Sequence, residues 1–322
     1  MKKWQQVKRN HHYVWGFYLR QWGLMNDVFY LSPKGKISSA NVKALAKDSG
    51  FYKINMLNEE DIDFIQAFSA KSPPETQEMH MKVLRNFVVV SNMSHMLNRL
   101  NFQSREKENL QEILHYNSLE DLHSVVEKGV LPTFKQLCSG NKKILNSNQN
   151  MVSFCSYLGH QITRTKSFKD NSLEAIAHGR NRQQAPEKFY ELIDKNWWFL
   201  SHMFGMNVGM SLHPDVRGCK HIFVENNTRV PFITSDSPAI NIHSSLPRLA
   251  RMEPPEKLDL YFPLSPKYAY MVNDSSDYDH LEKTVDEETV RRLNGLIYAK
   301  SEKTVFGNDK DTIGAAIKFE DS

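Results

Sequence analysis

"VLRNFVVVSNMSHMLNRL", residues 83–100, decides the fold class. Val83, Leu84, Phe87, Val88, Ser91, Met96, Leu97 and Leu100 recur at steps of three and four, which places them on one face of an amphipathic helix. The same period extends from about 75 to 212. Leu110, Ile113, Leu114, Leu122, Val125 and Val126 follow it less regularly, and "SLED" at 118–121 reads as a capping-box restart, so the spacing predicts two helices there. Met151, Phe154, Cys155, Leu158 and Ile162 mark a further helix over 151–165, and Phe189, Ile193, Trp197, Leu200 and Phe204 one from Pro186 to about Gly209.

On both sides of this region the pattern becomes extended. "DVFYL" and "GKISSA" flank Pro33 and Gly35, which carry turn chemistry, within a β-rich start over 1–55. After Pro214 come "KHIFVE", "VPFITS", "LDLYFPL", "KYAYMV" and a final "KTVFG". "ENNTR" at 225–229 is expected to turn a hairpin between the first two. A last helix begins near Asp286, with Val290, Leu293 and Ile297 inward. The order predicts an α+β fold and one domain over 1–322: a helical region, 75–212, flanked by a β-rich start and a mainly β part with a last helix, 215–322, whose strands join one mixed sheet. "HSSLPRLARMEPPEK", 243–257, is long enough to cover a cleft.

The bulk composition narrows the class. With 40% hydrophobic and 24% charged residues over 322 positions, the chain has ordinary globular usage. Its net charge of +4 permits nucleic acid without arguing for it, and the basic residues between Arg164 and Arg182 are the densest internal cluster. Cys138, Cys155 and Cys219 are odd in number and far apart, which fits neither a disulfide framework nor a metal knuckle and points to a reducing cytoplasm. No run approaches ~18 apolar residues, so no membrane span is expected. The absence of Gly-x-Gly-x-x-Gly, Walker and Gly-x-Ser-x-Gly patterns disfavours nucleotide-dependent and α/β-hydrolase chemistry.

Four polar residues fall on predicted apolar faces or at a strand end. Gln161 sits three residues after Leu158, Arg164 one turn beyond Phe154's stripe, and Asn294 between Val290 and Ile297. Asp236 ends the strand in "FITSDSPAINI", 232–242, where a carboxylate either shapes a turn or stands at the mouth of a site. His11 and His12 are adjacent, so in an extended segment only one points inward. Each of these residues is either a brace for buried backbone or part of a shared polar site. Glu225, Asp236, His213, His221 and His243 lie close in sequence without a diagnostic metal-ligand spacing.

Five stretches taken in order, "HHYVWGFYLRQW", "QITRTKSF", "FITSDSPAI", "YFPLSPKYA" and "VRRLNGLIYAKSEKTVF", resemble the motifs of a bacterial family, domain of unknown function 4238, over residues 11–306. Trp15, Lys166 and Ser237 depart from the pattern, standing where the family has proline, proline and asparagine. The resemblance singles out His12, Gln161, Arg164, Asp236 and Asn294. It implies a component of accessory bacterial gene sets, where a nuclease-type effector of phage defence would be at home.

Two functions follow as expectations. In the first, the chain is a hydrolase acting on nucleic acid: His12 is general acid/base, Asp236 orients it or binds a divalent metal ion, Arg164 holds a phosphate, and Gln161 and Asn294 position substrate. In the second, it is a non-catalytic sensor or interaction module with a protein partner, and the same residues form a structural polar core.

Overall fold

A computed structural model describes residues 6–100, 104–178, 187–243 and 257–320. The loop expected over 243–257 and the far end of the basic cluster therefore lie largely outside the described residues.

The chain begins with strand β1 (Asn10–His12), a one-turn helix α1 (Gly16–Leu19), and strands β2 (Asp27–Leu31), β3 (Ile37–Asn41) and β4 (Lys47–Ser49). Helices follow: α2 (Glu59–Ser69), α3 (Pro74–Arg99), α4 (Arg105–Cys138), α5 (Asn148–Thr163), α6 (Lys166–His178), α7 (Glu187–Ser211) and the short α8 (Pro214–Arg217). Strands β5 (Lys220–Glu225), β6 (Thr234–Ser235), β7 (Ile240–Asn241), β8 (Asp259–Pro263) and β9 (Tyr268–Asn273) precede helix α9 (Glu287–Ala299), strand β10 (Val305–Gly307) and helix α10 (Lys310–Glu320). The architecture is α+β, with sheets at both ends of the chain around a helical middle.

Local chemistry sets the helix starts. Asn58 and Asp61 form a reciprocal capping box on α2, Ser104 accepts from the Lys107 amide at α4, and Asp286 accepts from the Thr289 amide at α9. The restart expected at Ser118 does not occur. Its hydroxyl turns back onto the Leu114 carbonyl at 2.7 Å, and α4 runs on through Pro132. Leu119, His123, Val130, Phe134 and Leu137 are buried along it, so a continuous packed face overrides the capping signal.

One four-stranded sheet has the order β3-β2-β10-β6, so strands from the two ends of the chain do share a sheet. Phe306 of β10 lies opposite Tyr30 on one side and Thr234 on the other. All of its pairings are antiparallel, which corrects the mixed sheet expected from sequence: its neighbours meet by a hairpin or by return from the distant end, without a parallel crossover. A second sheet has the order β5-β9-β8-β7, and β1 pairs with β4. The expected β5–β6 hairpin is also corrected. Asn226 bonds the Thr228 amide and the Val230 carbonyl within its own loop, and β5 pairs with β9 while β6 joins the other sheet. Strands β8 and β9, read from the sequence as separate strands, pair as a hairpin around "PLSP".

The sheets, α1, α4 and α5 share a core that includes Tyr18, Trp22, Phe134, Tyr157, Phe262 and Phe306. Ile65, Leu84, Phe87, Leu119, Trp198 and Phe199 form a second cluster among α2, α3, α4 and α7. Between the two, α5 and α7 meet at backbone contact, because a side chain at Gly159 would fall 2.2 Å from the Gly205 carbonyl. No described helix is long and apolar enough to cross a membrane.

Candidate metal centre

The residues that sequence singled out act mainly on backbone. Gln161 donates to the Tyr13 carbonyl at 3.0 Å and accepts from the Trp15 amide at 3.4 Å. Arg164, at the C-terminus of α5, donates to the His12 carbonyl at 2.5 Å and pairs with Glu127 at 2.7 Å. Together they hold segment 12–15 against α5. Asn294 spans the Pro231 carbonyl and the Ile233 amide, at 2.9 and 3.0 Å. Asp236 accepts from the amides of Glu302, Lys303 and Thr304, at 2.9, 2.8 and 3.0 Å. Burial pushes its pKa up to about 6 although these amides favour the carboxylate.

Asp236 stands near the first group, since its charge reaches Tyr13 and Ser237 bonds Ser167 at 2.6 Å. Asn294 serves the strand end on α9. His12 is half-buried, and burial and then Arg164 lower its pKa. The fully buried member of the histidine pair is His11, which accepts from the Tyr52 amide at 2.7 Å.

A different group carries unmet bonding capacity. His123 of α4, His160 of α5 and His202 of α7 bring one ring nitrogen each to within 4.8 Å of the others. The His160 and His202 rings stack with centres 4.3 Å apart, and His123 stands edge-on to both at 5.9 and 5.6 Å. Both nitrogens of His123, and Nδ1 of His160 and of His202, are buried without a hydrogen-bond partner among the described residues. Each unmet nitrogen costs about 1–3 kcal/mol.

Burial holds all three imidazoles neutral, His202 down to about 3, and Arg164 reinforces this for His123 and His160. Neutral imidazole is the form that offers a lone pair to a metal. Glycine makes the arrangement possible: a side chain at Gly205 would fall 2.4 Å from Nδ1 of His160.

The surroundings are charged. Glu120 lies one turn before His123 on the same face of α4, and its Oε2 is buried and unpartnered among the described residues. Burial raises its pKa to about 7 against the pull of Arg164. The Tyr52 ring lies 4.7 Å from that of His123, and its hydroxyl donates to the Arg164 carbonyl. A separate cavity of about 580 Å³ is lined by Phe168, Trp197, Leu200, Phe204 and Asn207, on another face of α7 from His202.

Three neutral imidazoles from three helices form a group that could hold a divalent first-row ion once the stacked His160 and His202 rings turn their in-plane lone pairs towards it. Sequence reasoning missed this triad. Its available signal was one histidine on the buried side of each of three helices, without a local motif.

A family profile described as protein of unknown function (DUF4238) matches residues 10–311. The chain belongs to the DUF4238 family. The DUF4238 match takes in the three histidines as well as the bracing residues. No curated protein and no solved structure matches the chain.

Proposed function

We propose that the protein is a metal-dependent hydrolase whose divalent ion is held by His123, His160 and His202. One observation carries this reading: three buried neutral imidazoles converge with nitrogens that nothing else described satisfies. A divalent ion held by these three residues would supply a hydroxide nucleophile near neutral pH. Glu120, one turn before His123 on α4, would accept the proton given up by the attacking water and pass it to the leaving oxygen as the ester bond breaks.

The metal thus moves from the strand end at Asp236 to the helical core. Arg164 acts as a neighbouring cation, because Glu127 and the His12 carbonyl already engage its terminal nitrogens. Enclosure of the histidines favours a small substrate, so nuclease action and a role in phage defence rest on sequence resemblance alone.

The test uses tag-free protein, elemental analysis, and hydrolysis of bis(p-nitrophenyl) phosphate, RNA and DNA with and without added zinc or manganese. Bound metal and turnover in the wild type, both lost in His123→Ala, support the reading. Metal without turnover of any substrate favours the second one, a non-catalytic module, which the backbone engagement of Gln161, Asp236 and Asn294 also suits. Equal metal content in wild type and variant removes the centre.

A further inference from the structure

We propose that the centre takes a small anion as its fourth ligand, an inference that rests on the metal reading above. A divalent ion beside the Arg164 guanidinium brings three positive charges, and arginine stays protonated in proteins. Against them stand Glu127, paired with Arg164 at 2.7 Å, and Glu120. The balance is positive with Glu120 ionised and more so with Glu120 protonated, so the conclusion does not depend on its proton.

The three histidines contribute no charge of their own. Besides Arg164 and one another, further histidines act on them: His11 on His123, and His80 on His202. An unbalanced charge in a low-dielectric interior is costly, and an anionic ligand is the simplest relief.

A second observation points the same way. Nε of Arg164 is buried and has no acceptor among the described residues, although both terminal nitrogens do. The residue is 4% exposed, so bulk water is a poor partner for that donor. A small oxyanion or pseudohalide on the ion would bring an acceptor and a negative charge into this neighbourhood together. A neutral ligand would bring only the first. The ligand class is therefore azide, inorganic phosphate or a short carboxylate, and for turnover a small anionic ester.

The experiment loads the full-length, tag-free protein with one equivalent of cobalt(II) and follows its visible absorption during titration with sodium azide and, separately, sodium phosphate. The expected result is a saturable spectral change with at least one of them, and about tenfold tighter binding in Glu120→Gln, which removes one opposing charge. Glu127→Gln is the second variant and shifts affinity the same way. A cobalt spectrum typical of nitrogen ligation that neither anion alters overturns the inference and leaves the metal reading standing. So does an unchanged anion affinity in both variants. Failure of the wild type to bind cobalt overturns the metal reading itself, and the anion inference with it.

Discussion

The imidazoles of His160 and His202 lie face to face, ring centres 4.3 Å apart and planes 19° from parallel, in the contact where α5 and α7 meet. Two protonated rings could not share that space, and burial ensures that neither is charged. Gly205 keeps the space open. Gly205→Ala would drive a methyl to 2.4 Å from Nδ1 of His160 and 2.8 Å from Oγ1 of Thr163. We expect a loss of about 1–3 kcal/mol in urea unfolding and a weakened zinc affinity. Unchanged values for both would mean that the helices meet differently.

His123 presents two buried nitrogens without partners. Replacing it with leucine removes that penalty, so in the metal-free protein His123→Leu should change stability by less than about 1 kcal/mol or raise it. With excess zinc the order should reverse, because only the wild type is stabilised by binding. Thermal melts with zinc and with chelator test this; equal zinc-induced shifts in the two proteins would count against ligation.

Acid should destabilise the metal-free fold through the same residues. His202 has a folded pKa of about 3, below its unfolded value of ~6.5. Its contribution is complete above the unfolded value and falls as pH drops from there towards 3, because only the unfolded chain takes up the proton. The slope is about 1.4 kcal/mol per pH unit for each such group. Glu120 works in the opposite sense: its pKa is raised to about 7, so the folded state takes up a proton first as pH falls through neutrality. Unfolding free energies between pH 7 and 4 should show a shallower slope in His202→Leu than in wild type. An equal slope would refute the assignment.

Gln161 and Asn294 should report on stability rather than chemistry. Alanine at either position leaves backbone groups at Tyr13 and Trp15, or at Pro231 and Ile233, without their partners. We expect a loss of about 1–3 kcal/mol, with metal content per folded molecule unchanged. A variant that is fully stable but has lost metal or activity would return these residues to the site.

The sequence carried the helical middle because each helix buries its own face, a local periodicity. It carried β8 and β9 as strands because each is a contiguous extended run, while their pairing came only with the fold. Ser118 misled because its hydroxyl had two uses, and only the packed length of α4 selects between them. Gln161 and Asn294 were legible as buried amides, but their partners are backbone groups of remote segments, which periodicity does not identify. His123, His160 and His202 were hidden for a related reason: each reads as an isolated core histidine until three helices are packed together.

The place of β10 in the first sheet has a bearing on synthesis. β2 and β3 are made early, yet Phe306, near the end of the chain, is the residue laid against Tyr30. The amino-terminal hairpin must wait, with one edge unpaired, until residues 305–307 have been made. A chain truncated before Val305 would leave that edge open to other molecules, so early termination should yield aggregates rather than a smaller working protein.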